Sequence, residues 1–364
     1  MKIQEVINYL EELAPLTYAE DFDNVGVLVG NVQNEVTNVL VSLDTLEATV
    51  EEAIANNCNL IVSFHPIIFK GLKSITGKNY VERVVIKAIK NDITIYAMHT
   101  ALDNMRLGVS GKMAAMIGIT NPQVLVSKPK MIKKLLTYVP HDYAEKVRKA
   151  LFKAGAGSIG NYDNCSFSAG GIGTYIPNQK ANPTIGSIGK LQEESETAIT
   201  VTFEKHLERA VLKALFKEHP YEEVAFEVIT LDNKHQDIGL GVYGDLPAAL
   251  PEKEFLDVLK KTFKTTHIRH SVFLDKPIKK VALLGGSGSF ALQNALAVQA
   301  DAYVSADFKY HDFFNAENRL LIADIGHYES EQYTKNLLVE YLTKKFTNFA
   351  IILAKTNTNP IYNY

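Results

Sequence analysis

The stretch LIVSFHPIIF, residues 60–69, decides how the rest of the chain is interpreted. Its first residues are apolar and β-branched, a pattern typical of a buried strand. Pro66 cannot donate a hydrogen bond to a sheet, so the strand is expected to end where the imidazole of His65 emerges. Ligands of α/β proteins bind at the carboxyl ends of strands. A single histidine there is more often a hydrogen-bonded loop residue, so its role depends on the other strand ends.

The composition is that of a globular protein with more than one core. The chain has 364 residues, 46% of them hydrophobic, and a formal net charge of −3 without a basic stripe, which argues against a nucleic-acid partner. Its amphipathic start lacks the layout of a signal peptide, and no apolar run approaches the about 20 residues that span a bilayer. Cys58 and Cys165 are expected to be free thiols. Together these features predict a cytoplasmic protein that does not bind membranes.

Strand patterns alternate with helical patterns in two parts of the chain, 1–128 and 241–364. This alternation predicts an α/β fold in which both parts contribute to one mixed sheet and form a core domain. Its expected helices are 3–13, 46–56, 80–90, 109–117, 252–263, 290–299 and a long helix after residue 327 that ends near residue 345.

Residues 129–240 have a different pattern. A strand at 135–140 and a helix at 142–154 precede a section rich in glycine and serine, and a strand, a helix and a strand follow up to residue 231. Two β-α-β halves predict an inserted ferredoxin-like α+β module. The polar sequence HPYEE at 219–223 is interpreted as structural, with an interface role as the alternative.

Two further strand ends carry a histidine and a carboxylate four residues apart, His99 with Asp103 and His327 with Glu331. If these segments are helical, both members of a pair share one face. Imidazole and carboxylate without thiolate fit zinc, manganese, iron or similar divalent ions. Each pair also has a simpler explanation, a hydrogen-bonded loop or a glutamate at a helix N-terminus. The recurrence at three strand ends favours a metal site.

The glycine turn at 285–289 lies between a predicted strand and a predicted helix. Backbone amides of Gly286, Ser287 and Gly288 could bind an anion or substrate there, or the glycines could serve a tight connection with positive φ. The turn is neither a P-loop nor a dinucleotide-binding motif. Asp307, at another strand end, is open to three interpretations: a partner of a metal ligand, a substrate contact or a solvated loop residue.

Six motifs resemble those of the GTP cyclohydrolase I type 2 homologues, the NGG-interacting-factor-three-like family. In chain order they are DNVG at 23–26, HP at 65–66, HTALD at 99–103, GGSGS at 285–289, SADFKYH at 305–311 and GHYESE at 326–331. The resemblance covers nearly the whole chain. It includes an inserted module similar to the CutA- or PII-type domain of longer bacterial members.

The resemblance implies a dinuclear site of divalent metal ions, zinc first and manganese or iron as alternatives, in a toroidal homo-hexamer. By motif, His65 and Asp103 would hold one ion, His327 the other, and Glu331 would bridge them.

This sequence departs from the family at Phe64, where the family usually has the first of two consecutive histidines. Phenylalanine cannot bind a metal, so the second site is expected to be weaker, empty, or completed by water or another residue such as His99. One or two ions per chain are therefore expected.

Two functions are consistent with these residues. The first is a metal-dependent hydrolase that acts on a nucleotide or another phosphate-bearing small molecule, with no catalytic residue assigned. The alternative is a non-catalytic metal-binding or scaffold protein involved in metal handling, which the departure at Phe64 favours.

Overall fold

The computed structural model describes residues 1–362, and the chain divides into two compact units. The first unit contains residues 1–127 and the chain from Asp237 onward, and the second contains Lys128–Gln236. Among the described residues, no helix is long and apolar enough to cross a membrane.

The elements are numbered in chain order. The strands are β1 Gly26–Val29, β2 Val39–Ser42, β3 Leu60–Ser63, β4 Thr94–Ala97, β5 Gln123–Ser127, β6 Ile132–Pro140, β7 Phe167–Tyr175, β8 Gln192–Glu204, β9 Phe226–Leu231, β10 Gly239–Leu250, β11 Arg269–His270, β12 Ile278–Ser287, β13 Ala302–Ala306, β14 Leu321–Asp324 and β15 Ile351–Leu353. The helices are α1 Ile3–Leu13, α2 Glu47–Ala55, α3 Tyr80–Lys90, α4 His99–Asp103, α5 Val109–Met116, α6 Ala144–Lys153, α7 Glu208–Glu218, α8 Glu252–Phe263, α9 Leu292–Ala297, α10 His327–Glu331 and α11 Thr334–Thr343.

The first sheet has the order β1-β4-β3-β2-β15, with β1 antiparallel and the other strands parallel. Every residue of β2, β3 and β4 is buried, because α1 and α11 cover one face while α2 and α3 cover the other. Strands buried on both faces are continuous apolar runs, which explains the sequence LIVS in β3. The three parallel strands deliver Asp44, His65 and His99 to the same edge of the sheet.

The second sheet has the order β11-β14-β13-β12-β10-β5. Its central strands β12, β13 and β14 are parallel, and α5 and α8 pack on one face while α9 packs on the other. The carboxyl ends of these strands carry Ser287, Asp307 and His327. Each sheet of this unit therefore presents polar side chains at its carboxyl edge.

The predicted α/β class with a mixed strand arrangement is confirmed, but the prediction of one shared sheet is wrong. The alternation of strands and helices gives the number of strands, whereas strand partners depend on long-range packing. The C-terminal β15 joins the first sheet beside β2, and β5 joins the second beside β10. The strand before His65 ends at Ser63, and the predicted helix 290–299 is a 3-10 turn, Ser289–Ala291, followed by α9.

The second unit contains an antiparallel sheet in the order β7-β8-β6-β9. Its elements follow one another as β-α-β-β-α-β, the ferredoxin-like order, and α6 and α7 pack on one face of the sheet. Strand β7 lies in the section that the sequence indicated only as rich in glycine. Its glycines have low strand propensity and its side chains are mostly exposed, so no apolar alternation marked it. The likeness to CutA- or PII-type domains stays a prediction.

Candidate metal centre

Three side chains meet between the two sheets of the first unit: His65 after β3, and His327 and Glu331 on the short helix α10. We name this group of three residues the metal centre. One ligand atom from each lies within 4.8 Å of the other two. The Nε2 atoms of His65 and His327 both lie 3.1 Å from Oε2 of Glu331. Because α10 is helical, His327 and Glu331 share one face, as their spacing predicts.

Each histidine of the metal centre is held from behind by a carboxylate. His65 donates from Nδ1 to Oδ1 of Asp44 at 2.8 Å, and His327 donates from Nδ1 to Oδ2 of Asp307 at 2.7 Å. A carboxylate only accepts, so both protons lie on Nδ1 and both Nε2 atoms are directed at Glu331. Histidines that bind metals in proteins are oriented in this way. The hydroxyl of Thr358 donates to the other oxygen of Asp44.

When both imidazoles are neutral, Oε2 of Glu331 is a buried oxygen for which residues 1–362 supply no hydrogen-bond donor, because the ring protons lie on Nδ1 and bare Nε2 atoms face it at 3.1 Å. The residue as a whole is only 3% exposed. A buried, unsatisfied carboxylate oxygen is costly, and a cation is a group that satisfies it. The donor set of two imidazoles and one carboxylate is one that zinc, manganese and iron accept. The residues present therefore fit a divalent ion.

The charges around the metal centre shift its pKa values. Burial alone lowers the pKa of His65, but Asp44 and Glu331 raise it to about 10. Burial likewise lowers the pKa of His327, and Asp307 and Glu331 raise it to about 11. For Glu331 burial raises the pKa, and the two histidines outweigh it, so that the net pKa is lowered. The metal centre is thus an anionic environment that favours positive charge on or between its histidines.

The glycine turn makes room for Glu331. Gly286 has φ +69°, and a Cβ there would lie 2.3 Å from Oε1 of Glu331, so only glycine fits without moving the carboxylate. The amides of Gly285 and Gly286 donate to the hydroxyls of Ser110 and Ser330. These amides are therefore used within the chain.

The other residues of the turn also bond within the chain. The amide of Gly288 donates to the carbonyl of Ala306, and Ser287 donates its hydroxyl to Asp307. The structure thus gives the turn a steric and supporting role. Anion or substrate binding by Gly286, Ser287 and Gly288 stays a prediction.

His99 lies beside the metal centre but faces another carboxylate. Its Nδ1 donates to Oδ1 of Asp23 at 2.8 Å, and its ring centroid lies 5.2 Å from that of His65. Burial raises the pKa of Asp23, but the bonds from His99 and Thr100 outweigh it and lower the pKa to about 2. The φ of His99 is +28°, a conformation that non-glycine residues rarely adopt and that is concentrated at functional sites. A metal-binding role for His99 stays a prediction.

Asp103, at the end of α4, stands outside the close group of three ligand atoms. Burial raises its pKa well above the usual value, and the charge of Glu331 raises it further while His65 and His327 lower it. The charges of the three residues of the metal centre thus act on the pKa of Asp103. Its assignment as a ligand stays a prediction.

Phe64, the position where the sequence departs from the family pattern, is fully buried. Its ring packs at 4.8 Å from the ring of His65 and edge-to-face at 5.5 Å from the ring of His99. An apolar ring therefore packs against both histidines, whose own rings lie 5.2 Å apart, and it contributes to the core around α1 and α11.

Two acidic residues in contact with the histidines were not predicted as site residues, Asp23 and Asp44. Asp44 follows β2 as His65 follows β3, and the two strands are parallel neighbours. An acidic residue directly after a buried strand was thus the available signal for Asp44. Asp23 was named only as part of the motif DNVG, because its contact with His99 joins the segment before β1 to the end of β4.

Comparisons with known proteins agree along the whole chain. The family model Duf34/NIF3 (NGG1p interacting factor 3) matches residues 1–360. A Bacillus subtilis protein named GTP cyclohydrolase 1 type 2 homolog is 36% identical over 98% of this chain and 97% of its own length. A protein of the same name from Halalkalibacterium halodurans is 37% identical over the same shares.

Solved structures agree with these matches. A Bacillus cereus protein related to NIF3 superposes with a TM-score of 0.86 at 36% identity, covering 100% of this chain and 99% of that one. A Staphylococcus aureus protein has a TM-score of 0.78 at 28% identity with the same coverage. The order of motifs, the fold and these matches lead to one conclusion: the chain belongs to the Duf34/NIF3 family.

Proposed function

We propose that this chain binds one divalent metal ion through His65, His327 and Glu331, with zinc first and manganese or iron as alternatives. The observation that carries the proposal is the buried Oε2 of Glu331, which lacks a donor within residues 1–362 and lies 3.1 Å from two imidazole nitrogens. Asp44 and Asp307 keep the Nδ1 protons in place and thereby present both Nε2 atoms to the ion.

The metal content of the purified protein tests this proposal. We expect His65→Ala and Glu331→Ala to lose the metal that the unchanged protein retains. His270→Ala is the control, because His270 is exposed and its Nδ1 contacts the carbonyl of Ser271. Retention of metal by both variants of the metal centre would show that the ion binds elsewhere.

The reaction proposed for this site is hydrolysis of a nucleotide or another phosphate-bearing small molecule. The support is the metal centre together with the name of the relatives, GTP cyclohydrolase 1 type 2 homolog. A divalent ion at such a site supplies Lewis acidity to a substrate oxygen or to water. The chain itself orients the two imidazoles, and burial together with the charge of Glu331 raises the pKa of the Asp103 carboxyl.

Turnover assays test the reaction independently of binding. Protein loaded in turn with zinc, manganese and iron is incubated with GTP, other nucleotides and phosphoesters, and Glu331→Gln is the control for contaminating activity. Product formation that the variant lacks supports hydrolysis. No turnover with any of the three metals counts against the hydrolase while leaving metal binding in place.

A non-catalytic metal-binding or scaffold role is the second candidate. The observation in its favour is Phe64, whose buried ring stands where a further donor would serve a second ion. The stoichiometry of bound metal distinguishes the two candidates: one ion per chain without turnover supports handling of metal, and two ions support a dinuclear hydrolytic site.

The homo-hexamer implied by the family resemblance is likewise a proposal. Light scattering coupled to size-exclusion chromatography tests it, and a mass of six chains is the expected result.

A further inference from the structure

The second unit contains a cavity of about 620 Å³. All the residues that line it belong to this unit, and none of them is a residue of the metal centre. Its floor is the side of the sheet that α6 and α7 leave open, near Gly173 of β7 and Glu196 of β8. Its walls are the connection from β7 to β8 and the segment HPYEE that follows α7. The volume lies within the range of small-molecule sites, about 300–1,000 Å³.

Hydrogen bonds hold the two walls of this cavity together. The amide of Asn182 donates to Oε1 of Glu222 at 2.8 Å, and the hydroxyl of Thr184 donates to the carbonyl of Pro220 at 2.8 Å. At the end of β7, the hydroxyl of Tyr175 donates to the carbonyl of Ile185 in the connection at 3.0 Å. These bonds make the cavity a built feature of the unit, because they fix one wall against the other.

His219 holds the segment HPYEE in its position at the cavity by two hydrogen bonds. The residue is only 7% exposed, its Nε2 donates to the carbonyl of Tyr138 at 2.9 Å, and its Nδ1 accepts from the amide of Tyr221 at 3.1 Å. Burial lowers its pKa, in agreement with a neutral ring that donates at one nitrogen and accepts at the other. His219 therefore positions Tyr221 rather than facing the cavity as a charge.

The polar lining of the cavity has one sign of charge. Its ionisable carboxylates are Glu196, Glu222 and Glu223, and among the described residues that line it there is no lysine, arginine or histidine. Phosphates and nucleotides bind where such cations or free amides face them. The lining thus excludes anionic ligands and favours a cation.

Aromatic rings supply part of the apolar lining, together with aliphatic side chains such as Ile172 and Ile185. Tyr138, Tyr175 and Tyr221 all line the cavity, and the rings of Tyr175 and Tyr221 meet edge-to-face at 5.8 Å. The hydroxyl of Tyr221 donates to Oε1 of Glu196 at 3.0 Å, which fixes the carboxylate beside the ring. A Cβ at Gly173 would lie 2.2 Å from Oε2 of the same carboxylate, so the glycine leaves the space that Glu196 occupies.

We propose that this cavity binds an organic ammonium cation with an apolar body, such as a quaternary ammonium ion. Glu196 is its counter-ion, and the tyrosine rings are the aromatic surfaces that contact it. Tyrosine faces attract ammonium groups by cation–π interaction, and a carboxylate beside them supplies the countercharge. The cavity is larger than a metal ion needs and offers apolar surface that a hydrated metal ion would not use.

The test is a titration of the full-length protein with choline, in which ligand-observed NMR measures binding. A parallel titration uses the uncharged isostere of choline in which carbon replaces the quaternary nitrogen. We expect choline to bind and the isostere to bind at least about tenfold more weakly. Glu196→Gln should weaken choline at least about fivefold, because the amide still accepts from Tyr221 but carries no charge. Glu193→Gln, an exposed neighbour on β8 outside the lining, should bind as the unchanged protein does.

The urea midpoint of each variant is measured as well, and an unchanged midpoint for Glu196→Gln shows that a loss of affinity is local. The proposal is overturned if choline does not bind, if the isostere binds equally well, or if Glu196→Gln binds choline as the unchanged protein does. Competition by ATP or inorganic phosphate would also overturn it, because the lining offers no cation to hold them.

Discussion

Glu331 in the first unit and Glu196 in the second are built into their sites by the same steric device. A Cβ at Gly286 would lie 2.3 Å from a carboxylate oxygen of Glu331, and a Cβ at Gly173 would lie 2.2 Å from one of Glu196. Their partners differ. Glu331 is 3% exposed and has two imidazole nitrogens at 3.1 Å, whereas Glu196 is half-buried and accepts from the hydroxyl of Tyr221.

The difference shows that glycine placement prepares space for a carboxylate, while the neighbours decide which cation it suits. In the metal centre, Asp44 and Asp307 orient two imidazole nitrogens, and such directional donors suit a metal ion. Tyrosine rings around a cavity of about 620 Å³ offer diffuse attraction to a larger cation. Burial is a second difference between the two carboxylates. If a side chain took the space of Glu331, its carboxylate could not turn to solvent, whereas that of the half-buried Glu196 could.

The largest effect is expected from removing the charge of the buried carboxylate. Glu331→Gln should lower zinc affinity by more than about a hundredfold, because even residues that only orient metal ligands contribute about 10- to 100-fold. Isothermal titration calorimetry measures the affinity, and Glu340→Gln is the control, since Glu340 is an exposed partner of Lys112. The comparison also requires that Glu196→Gln leave zinc affinity unchanged. A loss of zinc binding in that variant would contradict the separation of the two sites.

A smaller effect is expected from the residues behind the histidines. Asp44→Asn and Asp307→Asn should each weaken zinc binding about 10- to 100-fold, because the amide no longer fixes the Nδ1 proton by charge. The matched control is Asp92→Asn, an exposed turn residue with φ +52°, a conformation that asparagine tolerates. Equal affinities for all three variants would mean that the orientation of His65 and His327 does not depend on these carboxylates.

The sequence predicted the three side chains that meet in the metal centre better than the residues that hold them in place. His65, His327 and Glu331 stand at strand ends or at helical spacing, and such local patterns are visible in one dimension. The hydrogen bond that His99 donates to Asp23 joins residues that are 76 positions apart and could not be inferred from spacing. The same limit explains why the strands were expected in one sheet: the register of β15 beside β2 depends on packing of distant segments.

The cavity of the second unit was the least visible feature. Strand β7 contains Gly170, Gly171 and Gly173, which lower strand propensity, and the polar sequence HPYEE was interpreted as structural, with an interface role as the alternative. In the structure Gly173 makes room for Glu196, and His219 positions Tyr221. Residues that make space, or that orient a neighbour, leave no periodic signal in a sequence.

Replacement of the glycine beside the buried carboxylate should act on stability and binding together. Gly286→Ala forces a side chain into a positive-φ conformation, at a cost of about 1–3 kcal/mol, and displaces Glu331. Urea denaturation measures the free energy of unfolding, and zinc affinity should fall in the same variant. Gly71→Ala is the control, because no described atom lies within 4 Å of its Cβ and its φ is ordinary. A stable Gly286→Ala variant with unchanged zinc affinity would refute the steric role.

The smallest effect on stability is expected from the corresponding glycine of the cavity. Gly173 lies in β7 with an ordinary φ, and Glu196 is half-buried, so its carboxylate can turn toward solvent when a methyl group takes its space. Gly173→Ala should therefore change the free energy of unfolding by less than about 1 kcal/mol, because alanine also reduces the freedom of the unfolded chain. Choline affinity should nevertheless fall several-fold, since Glu196 no longer lies beside Tyr221. Gly71→Ala adds the same methyl group in the first unit, where no described atom lies within 4 Å of it, and should retain choline binding. If both variants bind choline equally well, Gly173 does not position the carboxylate of Glu196, and its role does not correspond to that of Gly286.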